Sequence, residues 1–255
     1  MARRSDGRSA VARICRVLEA FTSDDSDLTL TEIARRSRMP VSTVHSITGQ
    51  LVDEGLLERM DQGYVLGVRL WELAIRAPGT FGLREAALAP MEQAHAEIRH
   101  HVQLSVLTGF ESLYIERLSW PTSVVNFTQV GGRLPWYVTS SGILLASFAD
   151  EPARSGYATS SRPPRPPAPD LDGTAMERLM ASARNRGFLV TEGFIHPDAT
   201  AVAVPVFAPW RAPVAALAAV VPAAESGVES VVGSLRQAAR LTGERLAGTL
   251  TRGRP

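Results

Sequence analysis

Leu30-Thr31-Glu32-Ile33-Ala34-Arg35-Arg36-Ser37, continued across the turn Ser37-Arg38-Met39 by Pro40-Val41-Ser42-Thr43-Val44-His45-Ser46-Ile47, is the stretch that decides how this chain folds. Thr29 precedes it and Glu32 follows three residues later, the spacing of a capping box. There the threonine hydroxyl satisfies one open helix amide and the glutamate reaches back to another. A short helix to about Ser37 should bury Leu30, Ile33 and Ala34. Pro40 suits the first turn of the next helix, where its missing N–H is not needed. That helix should run to about Glu54 with Val44, Ile47 and Leu51 on one face, and Gly55 should end it.

On the N-terminal side, Val11, Ile14, Val17, Leu18 and Phe21 recur at three- and four-residue steps, which predicts an amphipathic helix within 8–21. The polar run 22–27 should stop it. Cys15, among Ile14, Val17 and Leu18, reads as a small buried hydrophobe. On the C-terminal side, 56–60, a turn at Asp61-Gln62-Gly63, and 64–67 read as a β-hairpin. Three helices and a hairpin are the parts of a winged helix-turn-helix, placed at 1–67. A second apolar-periodic stretch with Val68, Leu70, Trp71, Leu73, Ala74 and Ile75 reads as a linker helix and hinge over 68–82, broken at Ala77-Pro78-Gly79.

The second domain, 83–255, should begin with a long helix over 83–101. Strands at 102–107, 112–118 and 124–129 follow, then a helix near 140–148. The segment 160–169, with five prolines and two arginines, reads as a polyproline-like surface loop. A helix over 174–186, strands near 201–207 and 214–221, and a C-terminal helix over 228–249 complete an α+β domain.

Composition narrows the function. A chain of 255 residues, 45% hydrophobic and 21% charged, is long enough for two soluble domains with cores of their own. No signal peptide and no apolar run near the roughly 20 residues of a membrane span is visible, so a cytoplasmic protein without membrane association is expected. One cysteine cannot build an intrachain disulfide framework or a thiolate metal cluster. His95 and His100 do not share a helix face, His100 and His101 diverge, and His196-Pro197-Asp198 reads as a solvated turn, so no zinc set or catalytic dyad emerges. With no phosphate loop or nucleophile elbow either, neither enzymatic activity nor a cofactor is expected.

A recognition helix needs short polar side chains at its N-terminal end, where they reach base edges in the major groove, and an apolar opposite face. Ser42, Thr43, His45 and Ser46 meet the first requirement, Val44 and Ile47 the second. The same pattern would serve a three-helix domain making only protein contacts. Net charge does not separate the two, because residues 1–76 hold 11 Arg and 11 Asp plus Glu. Placement is more telling. Thr31, Arg35, Arg36 and Arg38 lie on or beside the turn, Arg3, Arg4 and Arg8 form an N-terminal arm, and Arg59 sits on the wing. Phosphate contacts from such residues would supply salt-sensitive affinity. All 27 basic residues are arginine, which suits phosphate but equally reflects a biased genome.

The helix-turn-helix segments quoted above, with Tyr64-Val65-Leu66-Gly67, resemble the IclR family of bacterial transcriptional regulators. Gly131-Gly132-Arg133-Leu134-Pro135, Gly142-Ile143-Leu144-Leu145-Ala146, Arg186-Gly187-Phe188 and Ala203-Val204-Pro205-Val206-Phe207 extend the resemblance over nearly the whole chain. It implies a GAF-like effector-binding domain, assembly as a homodimer or homotetramer, and a palindromic DNA operator. Two departures stand out. Ser46 occupies the place of a usual arginine, and Ile143 that of a lysine.

Carried over by position, the effector site falls on the turn Ser140-Ser141-Gly142, on Thr191 where the family has an acidic residue, on Ala201 in place of a cysteine, and on Ala218 and Val220 in place of serines. Asn126 falls on an opposing strand. A small anion needs several donors to offset its lost hydration. The resemblance therefore implies an effector larger or more apolar than a compact carboxylate such as pyruvate. The function expected is a sequence-specific DNA-binding regulator controlled by that effector. Repression is the expected sign, because blocking a promoter needs fewer partners than activating one. The alternative is a ligand-binding or hydrolytic domain whose helix-turn-helix serves only protein contacts.

Overall fold

The computed structural model describes residues 9–22, 25–76, 80–121, 123–124, 126, 128–208, 212–224 and 227–252. The expected N-terminal arm of Arg3, Arg4 and Arg8 and the break at Ala77-Pro78-Gly79 lie outside the described residues. The chain divides into two compact units, Met1–Pro78 and Gly79–Pro255.

In the first unit, α1 (Ala10–Leu18) is capped by Ser9, whose hydroxyl accepts from the Ala12 amide. The capping box forms at the start of α2 (Leu30–Ser37): the Thr29 hydroxyl accepts from Glu32 N at 3.3 Å, and the Glu32 carboxylate accepts from Thr29 N at 2.9 Å. α2 ends with Arg38 in the left-handed region at φ 54°; Arg38 N–H donates to Arg35 O and Met39 N–H to Ala34 O, a Schellman-type closure. Met39 is thereby turned into the core and the chain is aimed into α3 (Val41–Asp53). Pro40 is the residue before α3, not its first residue, and its carbonyl accepts from Val44 N. Val17, Leu28, Ile33, Val44, Leu51 and Leu57 pack together beneath the three helices.

The wing is the antiparallel pair β1 (Leu57–Arg59) and β2 (Tyr64–Leu66). Leu28 and Tyr64 exchange both backbone hydrogen bonds at 2.9 Å, which ties the wing to the segment leading into α2. Gly63 is required there, since a Cβ would stand 2.6 Å from Leu28 O. Another anchor spans the α1–α2 connection. Arg36 grips Asp25 with both arms, at 2.6 and 2.8 Å, and also donates to Ala20 O at 2.9 Å. Helix α4 (Val68–Ala74) follows, with Val68, Trp71 and Leu73 exposed and Ile75 exposed just beyond it. Cys15 is exposed, contrary to expectation. It lies about 200° around α1 from the fully buried Val17, so it faces away from the core.

In the second unit, α5 (Thr80–Ile98) is followed by β3 (His101–Thr108) and β4 (Glu111–Leu118). After β5 (Arg133–Pro135) comes a 3-10 turn at Trp136–Val138, then α6 (Ser140–Ser147) and α7 (Ala153–Thr159). Helix α8 (Gly173–Arg186), strands β6 (Leu189–Glu192), β7 (Ala199–Phe207) and β8 (Pro213–Pro222), and α9 (Val228–Arg252) complete it. The sheet order is β5-β4-β3-β8-β7-β6, antiparallel throughout. One face, with Val102, Leu104, Val202, Val204, Leu217 and Val221, packs on Met91 of α5 and Leu235 of α9. The other, with Ala203 and Ala218, packs on Ile143 and Leu144 of α6 and Met176 and Met180 of α8.

In the second unit expectation and structure differ in several places. The strand expected at 124–129 is absent among its described residues. There Asn126 Oδ1 accepts from both Thr128 N and Thr128 Oγ1, a local closure that competes with a strand ladder. The edge strand on that side is β5, too short and proline-ended for a pattern search. Helix α5 stops at Ile98 rather than His101, because Arg99 turns left-handed at φ 58° and His101 opens β3. Helix α7, which packs on α6 and α8, and strand β6, the edge strand beside β7, were not expected either.

Arg36 and its two hydrogen bonds hold the Asp25 carboxyl far below the usual carboxylate range. A carboxyl depressed on folding stabilises the folded state above its unfolded pKa, and that contribution fades as pH falls through the folded value. The first unit should therefore lose stability on acidification below about pH 4, the ordinary Asp value. Asp25→Asn should lower its melting temperature at pH 7 and flatten that acid limb. Thermal melts of both forms between pH 2 and 7 check this; identical acid limbs would refute it.

Candidate functional site

The N-terminal half of α3 separates its residues cleanly. Val44 and Thr48 are buried, Ser42, His45 and Ser46 are exposed, and Thr43 is half-buried. The helix is set at its angle by the left-handed turn at Arg38 and the buried Met39, and Thr31, Arg35 and Arg38 on α2 and the turn are exposed as well. Arg59 is exposed on the wing. Gln50 Nε2 donates to Ser46 O at 3.2 Å and approaches the Ser46 hydroxyl at 3.4 Å, extending the polar face by one turn.

Arg36 is placed differently from the other three. Its guanidinium is occupied by Asp25 and Ala20 O, so its charge is already matched inside the unit. A phosphate at that point would have to compete with a two-armed carboxylate contact. The sequence shows Arg35, Arg36 and Arg38 as equals; only the folded position of Asp25 separates them.

In the second unit a small cavity, partly open to solvent, lies on the sheet face that carries α6. Asn126, Ser140, Ser141, Thr191, Ala201, Ala218 and Val220 all line it. These residues come from segments up to 94 positions apart, between Asn126 and Val220, and the register explains their meeting. Val220 pairs with both His101 and Ala201, and Ala201 with Thr191, so one row crosses β3, β8, β7 and β6. Gln103 and Ala218 pair in the next row of the same face.

Gly142 does not line the cavity. A Cβ there would stand 2.4 Å from Trp136 O and 2.6 Å from both Ser112 Oγ and Thr139 Oγ1, so its role is to let α6 approach the preceding turn. Its amide donates to Thr139 Oγ1 at 3.0 Å, the cap of α6. The neighbouring departure has a cause as well: Ile143 is fully buried against α8 and the sheet, where an ammonium would be unpaired.

Several lining residues have no counterpart in the sequence expectation. Gln103, Tyr114, Thr128, Thr139 and His196 add polar groups, and Phe194 and Ile195 add apolar surface. Burial pushes the Tyr114 phenol up, against a hydrogen bond with the Ser141 side chain, so Tyr114 stays a neutral hydroxyl. Gln103 Nε2, Asn126 Nδ2 and Thr191 Oγ1 are buried without a hydrogen-bond partner. The floor, with Ala199, Ala201, Ala218 and Val220, is as apolar as the substitutions implied, but the walls supply donors that the positional comparison did not reach. Alternation along β3 was the available signal for Gln103: it shares the face of His101 and Ser105, opposite Val102 and Leu104.

Each of the two units matches a domain of one protein family. The sequence model of the IclR helix-turn-helix domain matches residues 10–61, and that of the bacterial transcriptional regulator IclR C-terminal domain matches 76–243. A crystal structure of an IclR homologue from Microbacterium hydrocarbonoxydans, complexed with 4-hydroxybenzoate, is 38% identical. It covers 94% of this chain and 100% of its own at a TM-score of 0.84. The regulator SauR of Cupriavidus necator is 29% identical over 230 residues, 88% of this chain and 90% of SauR. The Thermotoga maritima IclR structure shares the fold at 22% identity and a TM-score of 0.73, covering 93% of this chain and 98% of that one. With a helix-turn-helix DNA-binding domain followed by an α+β effector domain, the chain belongs to the IclR family of bacterial transcriptional regulators.

Proposed function

We propose that this chain is a cytoplasmic, non-enzymatic repressor that binds a palindromic operator as a homodimer or homotetramer and is released by a small aromatic carboxylate. The observation that carries the reading is the cavity, lined by donors at its walls and alanines at its floor and borne on the same chain as an exposed polar recognition surface. Small floor side chains leave room for a flat ring, and Tyr114 and Phe194 supply aromatic walls. The ligand carried by the Microbacterium homologue has that chemistry. It is also larger than pyruvate, in line with the apolar replacements at Ala201, Ala218 and Val220.

On the DNA side, Ser42, Thr43, His45 and Ser46 read base edges, while Thr31, Arg35, Arg38 and Arg59 contact phosphates. Assembly uses α4. Trp71 is 59% exposed and Val68 63%, an apolar stripe that one chain alone leaves in water. Effector occupancy acts by favouring one arrangement of the paired DNA-binding units over another, so that the half-site spacing they can reach changes. Only a ligand with different affinities for the two arrangements can do this.

Calorimetry should detect 4-hydroxybenzoate but neither pyruvate nor glyoxylate, and Ser141→Ala should weaken the aromatic acid. Tight pyruvate binding lost in Ser141→Ala would reverse the reading. In gel-shift titrations against the upstream DNA of its own gene, Arg35→Ala or Arg38→Ala should weaken binding to every sequence and reduce the salt slope by about 1 each. Thr43→Ala should instead relax discrimination between operator variants, by about 1–3 kcal/mol per base read. Arg36→Ala should act chiefly through the lower stability of the first unit. Sequence-indifferent binding by the unaltered protein would favour a helix-turn-helix used for protein contacts. Trp71→Glu should shift the mass measured by light scattering toward the monomer; an unchanged mass would exclude α4 from the interface.

A further inference from the structure

The unpartnered donors of the cavity are not spread evenly around it. Gln103 lies on β3 and Thr191 on β6, with β8 and β7 between them, so they stand at opposite ends of the alanine floor. Three strand spacings separate their backbones, about 14 Å. Asn126 joins the Gln103 end. Its Oδ1 is taken by the Thr128 backbone amide, at 3.0 Å, and by the Thr128 hydroxyl, at 2.9 Å. A backbone N–H can only donate, so this contact fixes which way the Asn126 amide points and leaves Nδ2 as its free group. Thr128 is itself held, because Arg117 donates to its carbonyl oxygen, and Arg117 stands opposite Gln103 in the β3–β4 register.

That end of the cavity therefore offers two amide N–H₂ groups with nothing to bind, Gln103 being only 2% exposed. The Arg117 guanidinium lies behind them, and Ser140 and Ser141 in the first turn of α6 line the same cavity. No Asp, Glu, Lys or Arg is among the described lining residues. Buried donors left open cost the fold stability. A bound group supplying two acceptors would recover it. A carboxylate has two acceptor oxygens. A primary amide has one, and its own N–H₂ would face a donor; an alcohol has a single uncharged oxygen that both donors would have to share.

We infer that Gln103 and Asn126 form a neutral two-donor clamp for the effector's carboxylate, and that Gln103 makes this regulator select an acid over the matching amide or alcohol. The ligand then lies across β8 and β7, and Thr191 meets the polar group at its far end. The inference rests on the aromatic-acid reading above and adds the residues that grip the acid.

The test uses full-length protein and three probes that differ only at the gripped end: 4-hydroxybenzoate, 4-hydroxybenzamide and 4-hydroxybenzyl alcohol. Calorimetry on the unaltered protein should rank the acid at least about 10-fold above the other two, the size of a hydrogen bond to a charged group. Gln103→Leu should weaken the acid by about 10- to 100-fold and the alcohol far less. Gln103→Glu replaces a donor with an anionic acceptor, so it should reject the acid and bind the amide in preference. Thermal melts and retained operator binding check that both variants are folded. The unaltered protein needs no such control, and equal affinity for acid and amide there overturns the clamp. Gln103 variants that bind the acid normally, or lose all three probes equally, also overturn it. If the unaltered protein binds none of the three probes, the aromatic-acid reading fails and the clamp fails with it.

Discussion

The two faces of strands β3, β8 and β7 are unequal, and the second unit depends on that inequality. One face carries Val102, Leu104, Val202, Val204, Leu217 and Val221 and is sealed by α5 and α9. The other carries Gln103, Ala201, Ala203, Ala218 and Val220. Strand alternation sends successive side chains to opposite faces, so a single register assigns both sets at once. Large residues on the first face exclude water and hold the sheet. Small ones on the second let α6 approach closely in one region and leave a cavity in another. A slip of one residue would put the valines in the cavity and the alanines in the core.

Helix α6 is where packing and recognition meet. Thr139 caps it, Gly142 lets it sit against Trp136 O, and Ile143 buries it. These contacts hold Ser140 and Ser141 at the cavity wall, with the Thr139 cap taking one of the open amides of the helix. The segment bearing Asn126 is positioned by polar contacts instead. His101 bridges Ser119 Oγ at 3.0 Å and Val124 O at 2.7 Å, and since a carbonyl can only accept, Nε2 is the donor there. Burial holds the His101 ring below its usual pKa, which keeps it neutral and preserves that tautomer. The segment bearing Asn126 is thus fastened at His101 and at Arg117.

The first unit uses charge in two ways. Arg36 is absorbed by Asp25 and Ala20 O and closes the α1–α2 connection, whereas Arg35 and Arg38, one residue before it and two after, stay exposed. A run of like residues beside a helix-turn-helix is therefore not a uniform basic patch. The left-handed Arg38 has a structural duty through its backbone while its side chain is exposed, so turn geometry and phosphate contact can reside in one residue.

Sequence alone was enough for features set by local spacing. The capping box at Thr29 and Glu32, the apolar face of α3, the hairpin wing and the strands near 201–207 and 214–221 all follow from local apolar patterns and turn residues, which act within a few positions. Seven of the eight residues carried over to the effector site also line one cavity, because their register was implicit in the ordered motifs. What tertiary structure alone decided depends on contacts between distant segments. Asp25 took Arg36, a local Asn126–Thr128 closure replaced an apolar strand pattern, Gly142 packs against the preceding turn and is absent from the cavity lining, and Gln103 was brought to the same cavity as Asn126. None of these has a period to read. Each depends on which groups find a partner once the chain is closed.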